Sequence, residues 1–410
     1  MLTEVREARW TASAEAVAAA PRGRVGVTRL ALSNFRNYQS AKLVLGDGPV
    51  VLTGANGAGK TNLLEALSFL APGRGLRNAK LSDVDRRSIA LAGAAGGAGA
   101  ASGWAVAAAV TTRCGIVRIG TGRDPAAGER RTVRIDGETA RNQGALSEHL
   151  GMVWLTPQMD RLFLDGPAGR RRFVDRLVLA IDPAHAGRVG AYEEALRERA
   201  RLLRDGPSDP AWLTALEAVM AAQGVAVAAA RRDTVQRLDA ICAGAEGGFP
   251  RARLALDGAV ESWLDQMPAL AAETDFTAAL AAARCSDSLS GGAALGPHRS
   301  DLVVHLLPNG VPAEFTSSGE QKALLIAIVL AHAKLHSAVR GEPPLLLLDE
   351  IAAHLDSARR ASLFDLLGRL ESQTWLTGTE PAVFAPLRRH AQFLSVQNGT
   401  VTQLAFDREF

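Results

Sequence analysis

Apolar and polar positions alternate from Val27 to Leu32 and again from Ala41 to Leu45, with Asn34-Phe35-Arg36-Asn37-Tyr38 turning between them. A period of two predicts a strand pair. Val50-Val51-Leu52-Thr53 is a short apolar strand; a glycine-rich turn and apolar residues at helical spacing follow it, and Pro72-Gly73-Arg74-Gly75 ends the helix. Three more strand-like runs, Trp104–Thr112, Cys114–Gly120 and Arg131–Asp136, predict an antiparallel sheet beside that unit. Val153 to Gln158 reads as a buried strand stopped by proline. From Asp160 the period becomes helical, over 160–205 and 211–243, with Leu196, Leu203, Leu213, Leu216 and Val219 as expected packing positions. The chain then returns to a long apolar helix ending near Leu335, a buried strand Pro344–Asp349, a helix Ser357–Glu371 and a strand Thr374–Thr377. This order predicts an α/β core over 25–159 and 290–410, with a mainly helical lobe, 160–289, inserted between its halves.

Composition adds bounds rather than identity. At 410 residues, with 47% apolar and 22% charged residues, the chain can bury the cores of two or three soluble domains. A net charge of +3 permits nucleic-acid binding without demanding it. Cys114, Cys242 and Cys285 lie far apart without ligand spacing, so they are expected to be reduced. Residues 1–24 lack a continuous apolar run and read as a disordered extension, not a signal peptide. Ile89 to Thr112 carries no charged residue but is too glycine-rich for a membrane helix, reading instead as a loop and a strand of a cytoplasmic protein.

The chemistry begins at Gly54-Ala55-Asn56-Gly57-Ala58-Gly59-Lys60-Thr61-Asn62. The spacing G-x-x-x-x-G-K-T lets backbone N–H groups curl around phosphate oxygens, with Lys60 reaching the β- and γ-phosphates and the Thr61 hydroxyl placed for Mg²⁺. Leu345-Leu346-Leu347-Leu348-Asp349-Glu350 is a buried strand with two acids at its carboxyl end. Asp349 is placed to hold Mg²⁺, and Glu350 to take a proton from the attacking water. Thr316-Ser317-Ser318-Gly319-Glu320-Gln321-Lys322 opens a helix whose positive end could face an anion.

Together with Gly296-Pro297-His298-Arg299, Leu355-Asp356 and Thr377-Gly378-Thr379, these motifs resemble the ABC-type ATPase heads of the SMC and Rad50 class, and within it the bacterial recombination-repair ATPases. The resemblance implies that Ser317 and Gly319 contact the γ-phosphate held by a second copy, that Gln158 stands near Mg²⁺ and the attacking water, that Asp356 lies across the dimer interface and that Arg36 lies near the nucleotide. It also implies an ATP-dependent homodimer whose slow hydrolysis releases it, duplex or single-strand/duplex junction DNA as ligand, a role in loading recombinase, and RecR and RecO as partners. Two departures stand out: Ser318 occupies a common glycine position, and no switch histidine follows Thr374–Thr377, leaving Thr377 or Thr379 as substitutes.

Candidate DNA contacts are Arg74, Arg77, Lys80, Arg86 and Arg87 after the P-loop helix, and Arg170, Arg171 and Arg172 at the start of the lobe. His298 and Arg299 are expected to bridge lobe and core. A transporter ATPase subunit and a small-molecule kinase are the rival readings; the kinase leaves the Ser317 helix unexplained.

Overall fold

The computed structural model describes residues 25–86, 103–206, 209–245 and 247–404. The expected extension over 1–24, the Gly/Ala stretch up to residue 102 and Arg87 lie outside them.

β1 (Gly26–Phe35) and β2 (Tyr38–Val44) form the expected hairpin, followed by β3 (Val50–Thr53) and the P-loop helix α1 (Lys60–Ser68). β4 (Trp104–Thr112), β5 (Gly115–Arg123), β6 (Arg131–Ile135) and β7 (Glu138–Thr139) complete an antiparallel sheet in the order β2-β1-β4-β5-β6-β7. β8 (Met152–Leu155) then enters the central sheet, and the chain leaves for the lobe through α2 (Pro167–Ile181), α3 (His185–Arg204) and α4 (Pro210–Ala243).

The stretch read as mainly helical also holds a strand, β9 (Ala252–Asp257), before α5 (Ala259–Gln266), α6 (Ala269–Ala282) and α7 (Arg284–Ser290). β9 pairs with β10 (Asp301–Leu306), which pairs with β11 (Val311–Pro312). The β10 partner of β9 lies in the returning core, beyond the lobe, so a reading of the helical stretch alone missed the strand. The core resumes with α8 (Ser318–Arg340), β12 (Leu345–Leu348), α9 (Ser357–Arg369), β13 (Thr374–Gly378) and the hairpin β14 (Gln392–Gln397) and β15 (Thr400–Gln403).

The central sheet runs β15-β14-β3-β13-β12-β8, and every neighbouring pair except β14 with β15 is parallel. β12 shows why its sequence is a continuous apolar run: Leu346 and Leu348 face one core with α8 and α9, whereas Leu345 and Leu347 face the other with α1 and the antiparallel sheet. α8 has the length and hydropathy of a membrane span, but 78% of that apolar window is buried inside the protein.

The lobe has its own core around Tyr192, Met220, Val225 and Phe276. One expected packing position fails there: Val219 is 43% exposed, and the buried face of α4 instead runs through Leu213, Glu217, Met220 and Gly224. Glu217 can sit in that face because Arg199 and Arg284 both pair with it.

Candidate nucleotide and DNA site

In a parallel sheet the carboxyl ends of the strands share one edge, and connections there gather functional groups. β3 delivers the P-loop, β12 the acids and β8 the turn carrying Gln158 to that edge. Gly59, the residue before α1, has φ of 119°, and a Cβ there would run into Asn37 and the Tyr38 hydroxyl. Those two residues brace the loop from outside: Asn37 Nδ2 donates to the Ala58 carbonyl at 3.1 Å, and Tyr38 Oη to the Gly59 carbonyl at 2.9 Å. Asn62 Nδ2 donates to Asn37 Oδ1 at 2.8 Å. Asn56 and Gly57 are exposed at the loop tip, and Ala58 and Lys60 are buried.

Lys60 Nζ donates to the loop's own Gly54 and Ala55 carbonyls at 2.8 and 3.0 Å. Burial lowers its proton affinity, against an upward pull from Glu350 and Asp349. Across the edge, Thr61 Oγ1 donates to the Asp349 carboxylate at 2.9 Å, joining residues 288 apart in sequence. Thr377 Oγ1 donates to the other oxygen at 2.7 Å and accepts the Glu350 N–H at 2.8 Å. Asp349 is thus held by two hydroxyls; burial pushes its carboxyl up, Glu350 adds to the shift, and the hydroxyl bonds oppose it. Glu350 adopts a left-handed backbone with φ of 51°, a strained conformation that the Thr377 bond fixes.

A buried carboxylate beside a threonine hydroxyl is a hard-oxygen pair that suits Mg²⁺ shared with substrate phosphates. The bonds of Thr377 make it a positioner of both acids; of the two proposed sensors, only Thr379 is exposed.

Ser317 caps α8 in a reciprocal capping box: its N–H donates to Glu320 Oε2 at 2.9 Å, and its Oγ accepts the Glu320 N–H at 3.3 Å. Gly319 is exposed beside it, and Lys322 ties the helix start to Asp160, just beyond β8, at 3.2 Å. β8 and the P-loop strand lie three strand spacings apart in the sheet order, roughly 14 Å at ordinary spacing. Gln158 is exposed in the turn after β8, and Asp356, also exposed, caps α9 by accepting the Arg359 N–H at 2.8 Å.

Arg36, expected near the nucleotide, is bonded to the P-loop helix itself. Its Nε and Nη2 form a bidentate pair with fully buried Glu65 of α1, at 2.9 and 2.6 Å, and its Nη1 donates to the Asp83 carbonyl at 2.7 Å. It braces the flank of the P-loop helix through three of its N–H donors.

The arginine run opening α2 splits because helical residues turn by about 100° each. Arg170 closes on Asp301 with bonds of 2.6 and 2.7 Å and caps the Asp165 carbonyl, and Arg171 donates inward to the Ser300 carbonyl. These bonds correct the expectation that both face DNA. Arg172 is exposed, as are Arg74 and Lys80, whereas Arg77 is half-buried and donates to Asn62 and Glu65. Arg86 is half-buried, with its N–H on the Asn34 carbonyl. His298 accepts or donates at Tyr192 Oη of the lobe, 2.6 Å away, while Arg299 caps the Ala293 carbonyl, just beyond the lobe's expected end.

With this geometry in hand, comparison with known proteins is informative. The family described as "RecF/RecN/SMC N terminal domain" matches residues 26–402. A protein of Mesorhizobium japonicum named "DNA replication and repair protein RecF" is 50% identical over 378 residues, 92% of this chain and 97% of its own length. A Rhizobium meliloti protein of the same name is 47% identical over 382 residues, covering 92% of this chain and 99% of the relative. Among solved structures, the recombination mediator protein RecF bound to ATP superposes with a TM-score of 0.80 at 20% identity, covering 94% of this chain and all of the other. A Pyrococcus furiosus Smc head domain superposes with a TM-score of 0.52 at 18% identity, covering 93% of this chain and 96% of the other.

Proposed function

The chain belongs to the RecF/RecN/SMC N-terminal domain family, an ATPase family, and its relatives are replication and repair proteins; from that premise we propose that its ATPase is a slow switch that opens and closes a grip on DNA. Kinship with replication and repair proteins does not favour the transporter alternative.

The observation that carries the proposal is the closure of Thr61 on Asp349 beside Glu350. Thr61 and Asp349 would hold Mg²⁺, which when bound offsets phosphate charge and polarises the terminal phosphoryl group. Lys60 would exchange its two loop carbonyls for phosphate oxygens. Gln158 would orient water, and Glu350, pinned through its N–H, would accept the water's proton. The remaining P-loop positions Gly54, Asn56, Gly57, Ala58, Gly59 and Asn62 would shape the phosphate cradle.

Ser317 and Gly319 open a helix tied by Lys322 to Asp160, just beyond β8 and three strands from the P-loop strand, which supports a role toward another copy rather than toward their own chain. In our reading they meet the nucleotide of a second copy, with Asp356 at the same interface, so that ATP joins two chains and hydrolysis parts them. The head would comprise 25–159 and 290–410, and the lobe 160–289 would clamp duplex or junction DNA, fastened to the head through β9 and β10. Arg74, Arg77, Lys80 and Arg172 are the proposed phosphate contacts. In the same reading RecR and RecO are the partners, recombinase loading is the task and the cytoplasm the site of action, a reading supported by the relatives' replication and repair names.

Sedimentation velocity tests the reading. The chain should be monomeric alone, dimeric with ATP and Mg²⁺, and bound to duplex DNA only in the dimer. Ser317→Arg should abolish the dimer while nucleotide still binds the monomer. A chain that stays monomeric and free of DNA under every condition, or a variant that dimerises like the parent, overturns it.

A further inference from the structure

A cavity of about 450 Å³ lies between the turn Pro72–Asn78, the face of α2 and the start of α3. Its lining contains no P-loop residue and neither acid of the nucleotide edge. Leu76, Leu150 and Met152 supply an apolar floor, and three arginines stand on its walls: Arg74 from the turn, with Arg172 and Arg176 one helical turn apart on α2.

The charge on these walls does not close. The two lining acids have partners already: Asp175 takes Arg231 in bonds of 2.7 and 2.8 Å, and Glu193 pairs with Arg197 at 3.7 Å. Among the described residues no carboxylate pairs with Arg74, Arg172 or Arg176. Arg176 is the most exceptional. Its guanidinium lies 4.7 Å from the Trp154 ring centre and 5.4 Å from that of Phe173, Nη2 meets only the Met159 sulfur at 3.4 Å, and Nε has no acceptor. Burial lowers its proton affinity to about 10. Trp154 Nε1 and His185 Nδ1, on lining residues, are likewise buried donors or acceptors without partners. By contrast, buried Arg199 and Arg231 both bind carboxylates.

A buried cation without a counter-charge is costly, and planar guanidinium groups fit phosphate oxygens in paired bonds. The volume falls within the range of about 300–1,000 Å³ usual for small-ligand pockets. We propose that this cavity is a second anion site, separate from the P-loop, that takes a small phosphate monoester with an apolar or aromatic body, of mononucleotide size. Occupancy joins the turn after the P-loop helix to the lobe, since Arg74 and Arg172 reach the same ligand from the two sides, and a bound monoester competes with the DNA phosphates those two arginines are assigned above.

The test uses the full chain with its P-loop saturated by a non-hydrolysable ATP analogue and Mg²⁺. Thymidine monophosphate and inorganic pyrophosphate are then titrated by calorimetry and tryptophan emission. One further equivalent of thymidine monophosphate should bind, with an emission change that Trp154→Phe removes. Arg172→Gln, at an exposed position that leaves the fold intact, should weaken binding at least tenfold, and Arg74→Gln should act in the same direction. The proposal is overturned by the lack of a second saturating event, by one unchanged in both arginine variants, or by binding of pyrophosphate without the monoester.

Discussion

Asp349 and Asp175 are both carboxylates drawn out of water, one at the exit of β12 and the other on α2. Asp349 receives two hydroxyls, and burial drives its carboxyl up. Asp175 receives both arms of Arg231 and the His185 ring; burial alone would raise it, but those bonds and charges outweigh burial and hold it below the usual range. Hydroxyls satisfy the lone pairs of a carboxylate without cancelling its charge, whereas a guanidinium does both. The sheet edge therefore keeps a carboxylate bonded by hydroxyls alone, with no guanidinium or ammonium on it among the described residues, where a cation and phosphates are to be exchanged. Most of the lobe closes its charge internally, as in the buried set Arg199, Glu217 and Asp287. Open charge marks where a ligand belongs, and closed charge marks where the fold is fastened.

Breaking the open side should act on chemistry. Glu350→Gln keeps shape and the N–H bond to Thr377 but removes the proton acceptor, so steady-state hydrolysis should fall by about 10²–10⁴-fold. Nucleotide affinity should stay within a few-fold, and the dimer should persist on DNA. Rapid turnover by this variant would remove Glu350 from the base role.

Breaking the closed side should act on stability. Arg199 is 1% exposed and reaches Glu217, Asp287 and the Leu280 carbonyl, linking α3 to α4, α6 and α7. Arg199→Met leaves Asp287 unpaired and Glu217 with Arg284 alone. The expected loss is about 3–5 kcal/mol by chemical denaturation, with P-loop nucleotide affinity unchanged. A variant as stable as the parent would show that the network does not fasten the lobe.

The two regions also differ in how far the sequence reveals them. The P-loop, the apolar run into Asp349 and the Ser317 cap are local, because phosphate binding, sheet burial and helix capping each use neighbouring residues. The fold class was legible for the same reason. Thr377 carries no mark in its own segment that it will hold an acid 28 residues away. Asn37 and Tyr38 were visible only as a turn, although a polar pair at the hairpin turn one strand ahead of the P-loop strand could have suggested a brace. In the lobe the failures are larger: Arg170 finds Asp301 across 131 residues, and Glu217 occupies a face that periodicity assigned to apolar side chains. Arg170, Arg171 and Arg172 read as one basic cluster, yet the helix sends them to three destinations. Pairing over such distances is decided by tertiary geometry.

Acid should separate the regions. The Asp349 carboxyl is raised by burial first and by Glu350 second, so Mg²⁺ and protons compete for it above the ordinary aspartate range as pH falls. Its folded value exceeds its unfolded one, so the ion-free fold is penalised as pH rises through it, and cation binding relieves that penalty. Asp175 has the opposite sign: its contribution is present above the unfolded value of about 3.9 and is lost as pH falls through the depressed folded value. Mg²⁺-dependent ATP binding should therefore weaken at a higher pH than the one at which the lobe unfolds. Titrations of nucleotide affinity and near-ultraviolet dichroism that fall together would erase the distinction.

The smallest expected effect is the sharpest for DNA. Lys80 is exposed, whereas Arg170 is spent on Asp301. If Lys80 neutralises one phosphate, Lys80→Gln should reduce the slope of log affinity against log salt by about 0.9 while changing stability by less than about 0.5 kcal/mol. Arg170→Gln should leave that slope alone and lower stability, because Asp301 then stands at the start of β10 without its guanidinium. The pair of measurements, fluorescence anisotropy with duplex DNA across a salt series and urea denaturation of the same variants, separates an open charge from a closed one at positions of equal sign. Exchange of the two outcomes, with Arg170→Gln flattening the salt series and Lys80→Gln lowering stability, would place the DNA surface along α2 around Arg170 rather than at the turn carrying Lys80.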